Sequence, residues 1–511
     1  MSEIANYFLY RNAEGETGLS ANSIDDLNLD DLFAEIDYCH SSIGRQYLYY
    51  LLLSDKTSGM EKQEALLSEN NYRLLDEIRR QQTADKTKLS EASGFSWPTV
   101  SRLCEELRNR NYLAKDDLSL LPTVGYMLGI AVGTREIKVS LVDFAFQPVP
   151  RKRLRELGLG SLLDRDLLSA RKEPKEAEED YICLNSSQDL EKLAETLNNV
   201  LLAFLQTARA SEDTSNPALP LVGIGIAFPG AVDTQKKQIC ACPNIPCLNE
   251  KNLDSLLCAD VRTLLESLDV RVELCHNAEA GFLHEKEQLF HATDPVRRSL
   301  AESQNILCVY HGTGIGLSGC MAGRLLRGNN GFFGEIGHIL SPDFSLQRLK
   351  SECTDQAQAA AIPEDKIPLS GCRCPFCQKT CLESLIRARV FESENLEVFK
   401  QKTDRERLHT FAQNEWNFKL LKQYIGFMVG TIINLFNPEV LILTGRLYDC
   451  VPEIWNSMNI LKSGNSLSYS GSRCTIIPGS KRDNSVAVGA AISAYYHKYS
   501  YRTEEINWAK H

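Results

Sequence analysis

Between residues 121 and 497 the chain repeats one local pattern, in which short apolar stretches are broken by glycine-rich turns and separated by helix-like segments. Met127–Val132 passes through Gly133-Thr134 into Ile137–Asp143, the outline of a strand–turn–strand hairpin. Val222–Phe228 meets Pro229-Gly230, and Gly312-Thr313-Gly314-Ile315-Gly316 is followed by the block Gly323–Gly328. Late in the chain Val440–Leu443 meets Thr444-Gly445. Apolar runs of this length suit buried strands, and their alternation with helical stretches predicts an α/β domain. Two polar segments, about 149–182 and 341–371, lack strong periodicity and are expected to be long surface loops or partly ordered insertions.

The residues before this domain read differently. Asn71–Gln81 places Leu74, Leu75 and Ile78 on one helix face, and Lys86–Ser93 forms a second short helix. Gly94 then permits a tight turn, Ser96 can cap a third helix, and Pro98 stands near its first position. Val100, Leu103 and Leu107 are expected to pack inward, leaving Trp97, Thr99, Ser101 and Arg102 exposed near the start of that helix. This is the plan of a helix-turn-helix, whose third helix enters the major groove and offers hydroxyls and arginine to base edges and phosphates. Only a short acidic piece follows Tyr112, so any β wing must be small. A formal net charge of -11 excludes coating of nucleic acid by bulk charge, but not a small DNA-reading module on an acidic body. Residues 1–66 carry a helical pattern through Leu32–Leu53, read as an amphipathic segment used for packing or dimerisation.

No apolar run reaches the length of a membrane span, and residues 1–20 lack the basic start and apolar stretch of a signal peptide, so a cytoplasmic location is expected. There 17 cysteines, mostly scattered singly, are read as free thiols.

The ordered motifs of residues 121–497, ending in Gly489-Ala490-Ala491, resemble the ROK family of repressors, open reading frames and sugar kinases. The resemblance implies two actin-like α/β lobes with a sugar site between them, preceded here by a winged helix-turn-helix. The expected division is 1–66 as an extension, 67–120 as the DNA-binding domain, 121–246 plus 486–511 as the first lobe and 247–485 as the second.

Glu335 and His338 lie three apart around Gly337 and can face one cavity; the resemblance makes them sugar ligands and His338 also a zinc ligand. His276, Asn277 and Glu383 are implied as further sugar contacts, with Asn244 and Gly230 lining the site. Cys372, Cys374, Cys377 and Cys381 fall within ten residues and, with His338, suit a closed Cys₃His zinc site. Cys372, Cys374 and Cys381 are the first choice, and Cys374, Cys377 and Cys381 the close second. A structural zinc would anchor the loop that presents Glu383.

Two positions argue against catalysis. The family's general base matches Asn277, and a neutral amide cannot take a proton from a hydroxyl at neutral pH. The first phosphate loop carries Ala131 before Gly133 and Thr134, where the family has an aspartate. Glu279, two residues beyond Asn277, would point to another face of its helix. Gly133, Thr134, Gly312, Thr313, Gly314 and Gly316 are therefore read as remnants of phosphate loops, with no catalytic residue and no requirement for ATP. The expected function is a sugar-responsive DNA-binding regulator of carbohydrate metabolism, a repressor, with operator DNA and a small sugar or sugar phosphate as partners and a homodimer or homotetramer as its form. The alternatives are an active ATP-dependent hexose or N-acetyl amino sugar kinase, and a protein-interaction module. The identity of the sugar stays open.

Overall fold

The computed structural model describes residues 69–81, 85–115, 117–121, 125–166, 180–210, 219–312, 314–329, 331–339, 374, 377–379, 381–391 and 415–499. The chain divides into two compact units, 1–72 and 73–511. The expectation for residues 1–66 lies outside the described residues, as do Thr313 and Cys372.

Three helices open the described chain: α1 (Glu69–Gln81), α2 (Lys86–Ser93) and α3 (Trp97–Asn109). Leu74, Leu75 and Ile78 of α1 are buried as their spacing predicts, and Leu89, Val100, Leu103, Cys104 and Leu107 complete the small core. Asp85 caps α2 by accepting the Thr87 N–H at 2.8 Å, and Gly94 closes it with φ of 71°, a left-handed turn that glycine enters without steric cost. Ser96 stands at the N-cap of α3, but its hydroxyl lies 2.9 Å from the Thr99 hydroxyl and makes no cap bond to the backbone. After α3 a single antiparallel bridge joins Leu113 to Leu120, the smallest possible wing.

The α/β part is built on two five-stranded sheets of matching plan. The first contains β1 (Tyr126–Val132), β2 (Glu136–Asp143), β3 (Ile182–Asn185), β4 (Leu221–Phe228) and β8 (Arg271–His276), in the order β3-β2-β1-β4-β8. The second contains β9 (Ile306–His311), β10 (Ile315–Met321), β11 (Arg324–Leu325), β12 (Val440–Thr444) and β13 (Thr475–Pro478), in the order β11-β10-β9-β12-β13. In each, the first strand pairs antiparallel with its hairpin partner and parallel with the strand that returns by a crossover. A small three-stranded sheet, β5 (Ala231–Asp233), β6 (Gln238–Ala241) and β7 (Lys251–Asn252), sits between β4 and β8 in sequence. Helix α4 (Leu190–Ala210) buries Leu193, Leu197, Val200, Leu201, Phe204 and Leu205 in the core of the first lobe.

Two expectations change. A lobe boundary at 246/247 cannot stand, because β8 pairs in parallel with β4 and belongs to the first sheet. Parallel pairing is made through a crossover and leaves no local trace in sequence. The segment 149–166 is also not a surface loop: it forms short helices over Arg151–Glu156 and Gly160–Leu163 that bury Leu154, Leu157, Leu159, Leu162 and Leu163. Arg151 pairs there with buried Asp166. Glycines at 158 and 160 interrupt the leucines, so no continuous helical period spans the segment.

Helix α5 (Ala259–Ser267) leads into β8, and β8 runs directly into α6 (Asn277–Phe290), of which residues Ala278–Glu287 are all buried. The final described helix, α7 (Ser485–Tyr499), lies between α6 and the first sheet. Its contacts explain the glycines of the central strands. A Cβ on Gly129 or Gly225 would stand 1.8 Å from the carbonyl oxygen of Ala487 or Ala490, and one on Gly489 would stand 1.7 Å from the carbonyl of Ala280. Backbone therefore meets backbone on both sides of α7. Among the described residues no helix is long and apolar enough to cross a membrane.

The packing of α7 gives the first prediction. Gly225→Ala should destabilise the first lobe by about 3 kcal/mol or more, the upper range for overpacking against immovable backbone. Gly160→Ala, where a Cβ meets nothing within 4 Å, should be neutral. Equal melting temperatures for the two variants would show that the helix–sheet contact is looser than described.

Candidate functional site

His276 is the N-cap of α6 and Asn277 its first residue, so the strand-to-helix junction sets both side chains at one end of the helix. The Asn277 Oδ1 atom is shielded from solvent and has no hydrogen-bond partner. Burial lowers His276 to about 4, so its ring is neutral near pH 7. The ring faces a small cavity lined by Ser318, Arg327, Gly331 and Phe333. Glu279 lines the same cavity and is held there by Arg327, which donates to its two oxygens at 2.6 and 3.2 Å.

The turn between β9 and β10 explains its own glycines. A Cβ on Gly316 would lie 3.2 Å from the His276 ring, and one on Gly314 would lie 2.6 Å from the Glu383 carboxylate. Glu383 Oε2 accepts the N–H of Ile315 at 2.9 Å. Gly314 thus admits the Glu383 carboxylate, Gly316 admits Ala278 and the His276 ring, and the carboxylate takes one N–H of the loop expected to hold phosphate. Gly230 has a packing explanation, since a Cβ there would stand 2.1 Å from the carbonyl of Ala241. Asn244 follows β6, with its carbonyl receiving the Gln188 amide at 3.2 Å.

Around Ala131 the surroundings are apolar. Ala131 is buried in a cluster with Ala227, Cys275, Ala280, Val486, Ala487 and Ala490, against which Tyr310 packs. The Tyr310 ring closes on the backbone of α6 and of the turn after β9: Cβ atoms built on Gly281 and Gly312 would come within 3.2 and 2.8 Å of the ring. The Gly133 N–H is bonded to the Glu136 carbonyl at 2.9 Å within the hairpin, and Thr134 is half-buried beside it.

Next to Glu335 lies a cluster of metal-ligand type. His338, Cys374, Cys377 and Cys381 bring their ligand atoms within 4.8 Å of one another. His338 Nδ1 is 3.6 Å from Cys374 Sγ and 3.7 Å from Cys381 Sγ. A tetrahedral zinc with bonds of about 2.0–2.3 Å needs ligand–ligand edges of roughly 3.4–3.8 Å, so these residues fit such an ion. The turn closed by Gln378 N–H to the Cys374 carbonyl and Cys374 N–H to the Lys379 carbonyl, both 3.0 Å, folds Cys377 back beside Cys374. Helix α8 (Leu382–Phe391) starts immediately after Cys381, and its Leu382 N–H bonds to the Ile339 carbonyl, tying the loop to the His338 turn. His338 Nε2 faces Glu335 Oε2 at 3.6 Å, leaving Nδ1 for the sulfur cluster.

In the helix-turn-helix, Trp97 is 53% exposed and Arg102 is exposed, pairing with Glu106 along its own helix. Thr99 and Ser101 are only half-buried rather than fully exposed, and Ser101 accepts Lys86 Nζ at 3.0 Å. Lys86 also lies 5.6 Å from the Trp97 ring, a basic group at the head of α3 that sequence reading missed.

Comparison with known proteins fits this architecture. The model of the ROK family matches residues 176–496. The chain belongs to the ROK family. Xylose repressor of Bacillus subtilis (strain 168) is 23% identical over 437 residues, 82% of this chain and 93% of that protein. Xylose repressor of Caldicellulosiruptor bescii is 21% identical over 398 residues, 74% and 83% of the two chains. Among solved structures, a ROK family transcriptional regulator described as a homologue of the E. coli MLC protein superposes with a TM-score of 0.53 at 16% identity, covering 84% of this chain and 97% of that one. That likeness establishes the shared fold.

Beyond the loops, Glu285 of α6 accepts from the Thr444 and Ser480 hydroxyls, each at 2.9 Å, and from the Ser480 N–H at 2.7 Å. Burial nevertheless raises its carboxyl to about 7. A group raised above its unfolded value of 4.5 loses stabilising effect as pH rises through the folded value. The stability gap between wild type and Glu285→Gln should therefore narrow by about 3 kcal/mol from pH 4.5 to pH 8. Urea titrations at several pH values check this, and a gap that widens with pH would reverse the assignment.

Proposed function

We propose that this protein is a sugar-responsive, DNA-binding transcriptional repressor without kinase activity. The observation that carries the reading is the Asn277 amide oxygen, shielded, unpartnered and set at a helix start beside His276. A buried acceptor without a donor is costly, and a ligand hydroxyl is the donor that suits it. The same amide stands where a kinase needs a base, and Ala131 and Tyr310 place apolar groups where phosphate would need charge. The xylose repressors among its relatives make D-xylose the first sugar to test. The helix-turn-helix with exposed Trp97 and Arg102 and with Lys86 beside them is the DNA-reading surface, and Thr99 and Ser101 contribute hydroxyls.

The full-length chain should select specific fragments from its genomic DNA, and D-xylose, D-glucose or N-acetylglucosamine should raise its melting temperature. Asn277→Ala should weaken that sugar about tenfold, the loss of one hydrogen bond at the strong end of its net range. No stabilisation by any sugar, together with no enriched DNA, would count decisively against the regulator. ATP-dependent phosphorylation abolished by Asn277→Ala would favour the kinase.

Zinc is the metal proposed for His338, Cys374, Cys377 and Cys381; when bound, it would hold the Glu383 loop closed on the site. About one zinc per purified chain is expected by elemental analysis. Cys377→Ser should lose it and Cys372→Ser should keep it. The opposite pattern would restore Cys372 as the ligand.

A homodimer is proposed as the working form, since paired half-sites require paired reading helices. Leu435, Ile460, Leu467 and Tyr469, each about 70% exposed, form apolar points of the second lobe suited to the contact.

A further inference from the structure

Helix α6 begins at Asn277 and reaches Glu287 ten residues later, about 15 Å along its axis. Glu287 receives Arg79 of α1, from the first helix of the DNA-reading unit. Their side chains are 2% and 1% exposed. Arg79 addresses both carboxylate oxygens, donates to the Tyr496 hydroxyl of α7 at 3.1 Å, and lies 3.9 Å over the Phe146 ring. Tyr496 in turn donates to Glu287 Oε1 at 2.6 Å. Burial opposes the charge on Glu287, but Arg79, with Arg80 and the Tyr496 hydroxyl, outweighs it and keeps the carboxyl below its ordinary value. Arg80 lies over the Phe290 ring at 5.0 Å, so two cations of α1 meet the last turns of α6.

Such a pair is a poor source of stability compared with an apolar contact, but it permits one geometry. Arg79 is also held by Asp76 of its own helix at 3.0 Å, so a shift of α6 must either carry Arg79 and α1 with it or leave the buried Glu287 carboxylate without its cation. The same helix is fastened to the second lobe at Glu279 by Arg327 and at Glu285 by Thr444 and Ser480. It is therefore attached at its start to the region around the sugar pocket and at its end to the DNA-reading helices.

We infer that the Arg79–Glu287–Tyr496 cluster is the contact through which occupancy at the Asn277 end of α6 changes the placement of the DNA-reading helices. This rests on the regulator reading above. Arg79 and Glu287 act as positioning residues: their task is to make α1 follow α6. A ligand preferring one position of α6 then changes DNA affinity by its differential affinity for the two positions.

The test compares the full chain with Arg79→Met/Glu287→Met, which removes both charges together and leaves neither unpaired. Two measurements are made: DNA affinity with and without 10 mM D-xylose, on a fragment selected by the wild type, and amide hydrogen exchange without ligand. Wild-type DNA binding should weaken at least tenfold with the sugar, within the usual range of coupling between sites. The double variant should keep its sugar-induced thermal shift and its sugar-free DNA affinity within about threefold, while the sugar effect on DNA falls below twofold. Exchange should quicken in the variant at residues 276–281, the far end of α6, as well as near 79 and 287. Retention of the tenfold sugar effect by the variant would overturn the inference. So would exchange changes confined to 69–81 and 283–290, which is what a purely local structural role gives. If wild-type DNA binding ignores every sugar in the panel while exchange at 276–281 responds to the variant, the mechanical link stands and the regulator reading fails.

Discussion

A helix buried on every side, with charges it cannot leave unpaired, sets the terms for the rest of this molecule. Residues Ala278–Glu287 of α6 are inaccessible, and they include His284, Glu285, Lys286 and Glu287. Each must find a partner on whatever element packs against it, because an isolated buried charge costs far more than a single contact returns. Glu279 takes Arg327, Glu285 takes Thr444 and Ser480, Lys286 takes the Ala301 carbonyl, and Glu287 takes Arg79 and Tyr496. The lobes and helix α1 are thereby referred to one axis.

That axis also accounts for the glycines. Gly129 and Gly225 admit α7 to the first sheet, Gly489 admits α6 to α7, and Gly281 accepts the Tyr310 ring. A sequence rich in glycine at strand centres would usually be a weak sheet, since glycine contributes no side-chain packing. Here the missing side chains allow backbone-to-backbone layers, which place α6 at the junction of the lobes.

On the proposed reading the pocket senses a sugar rather than phosphorylating it. Hydrogen-bonding groups stand at His276, Asn277, Glu335 and Glu383, while Ala131 sits in an apolar cluster against which Tyr310 packs. Glu383 bound to the N–H of Ile315 adds a negative group at a loop that would otherwise attract an anion. The cysteine knuckle reaches Glu335 through His338.

Much of this was readable from the residues. Apolar periodicity located α1, α2 and α3, the αL glycine at 94 placed their turn, and the short apolar runs broken by glycine turns gave an α/β domain, its two lobes being implied by the resemblance to the ROK family. Those signals are local: each depends on residues within a turn or two of one another. The amide at 277 and the alanine at 131 were equally visible, because chemistry absent from a side chain is absent wherever it lies. Tertiary structure decided what distance in the chain conceals. β8 joins the first sheet because a parallel strand arrives by a crossover, and Arg79 meets Glu287 across 208 residues. An arginine at the end of an amphipathic helix looks like solvated surface until the element that buries it is in place.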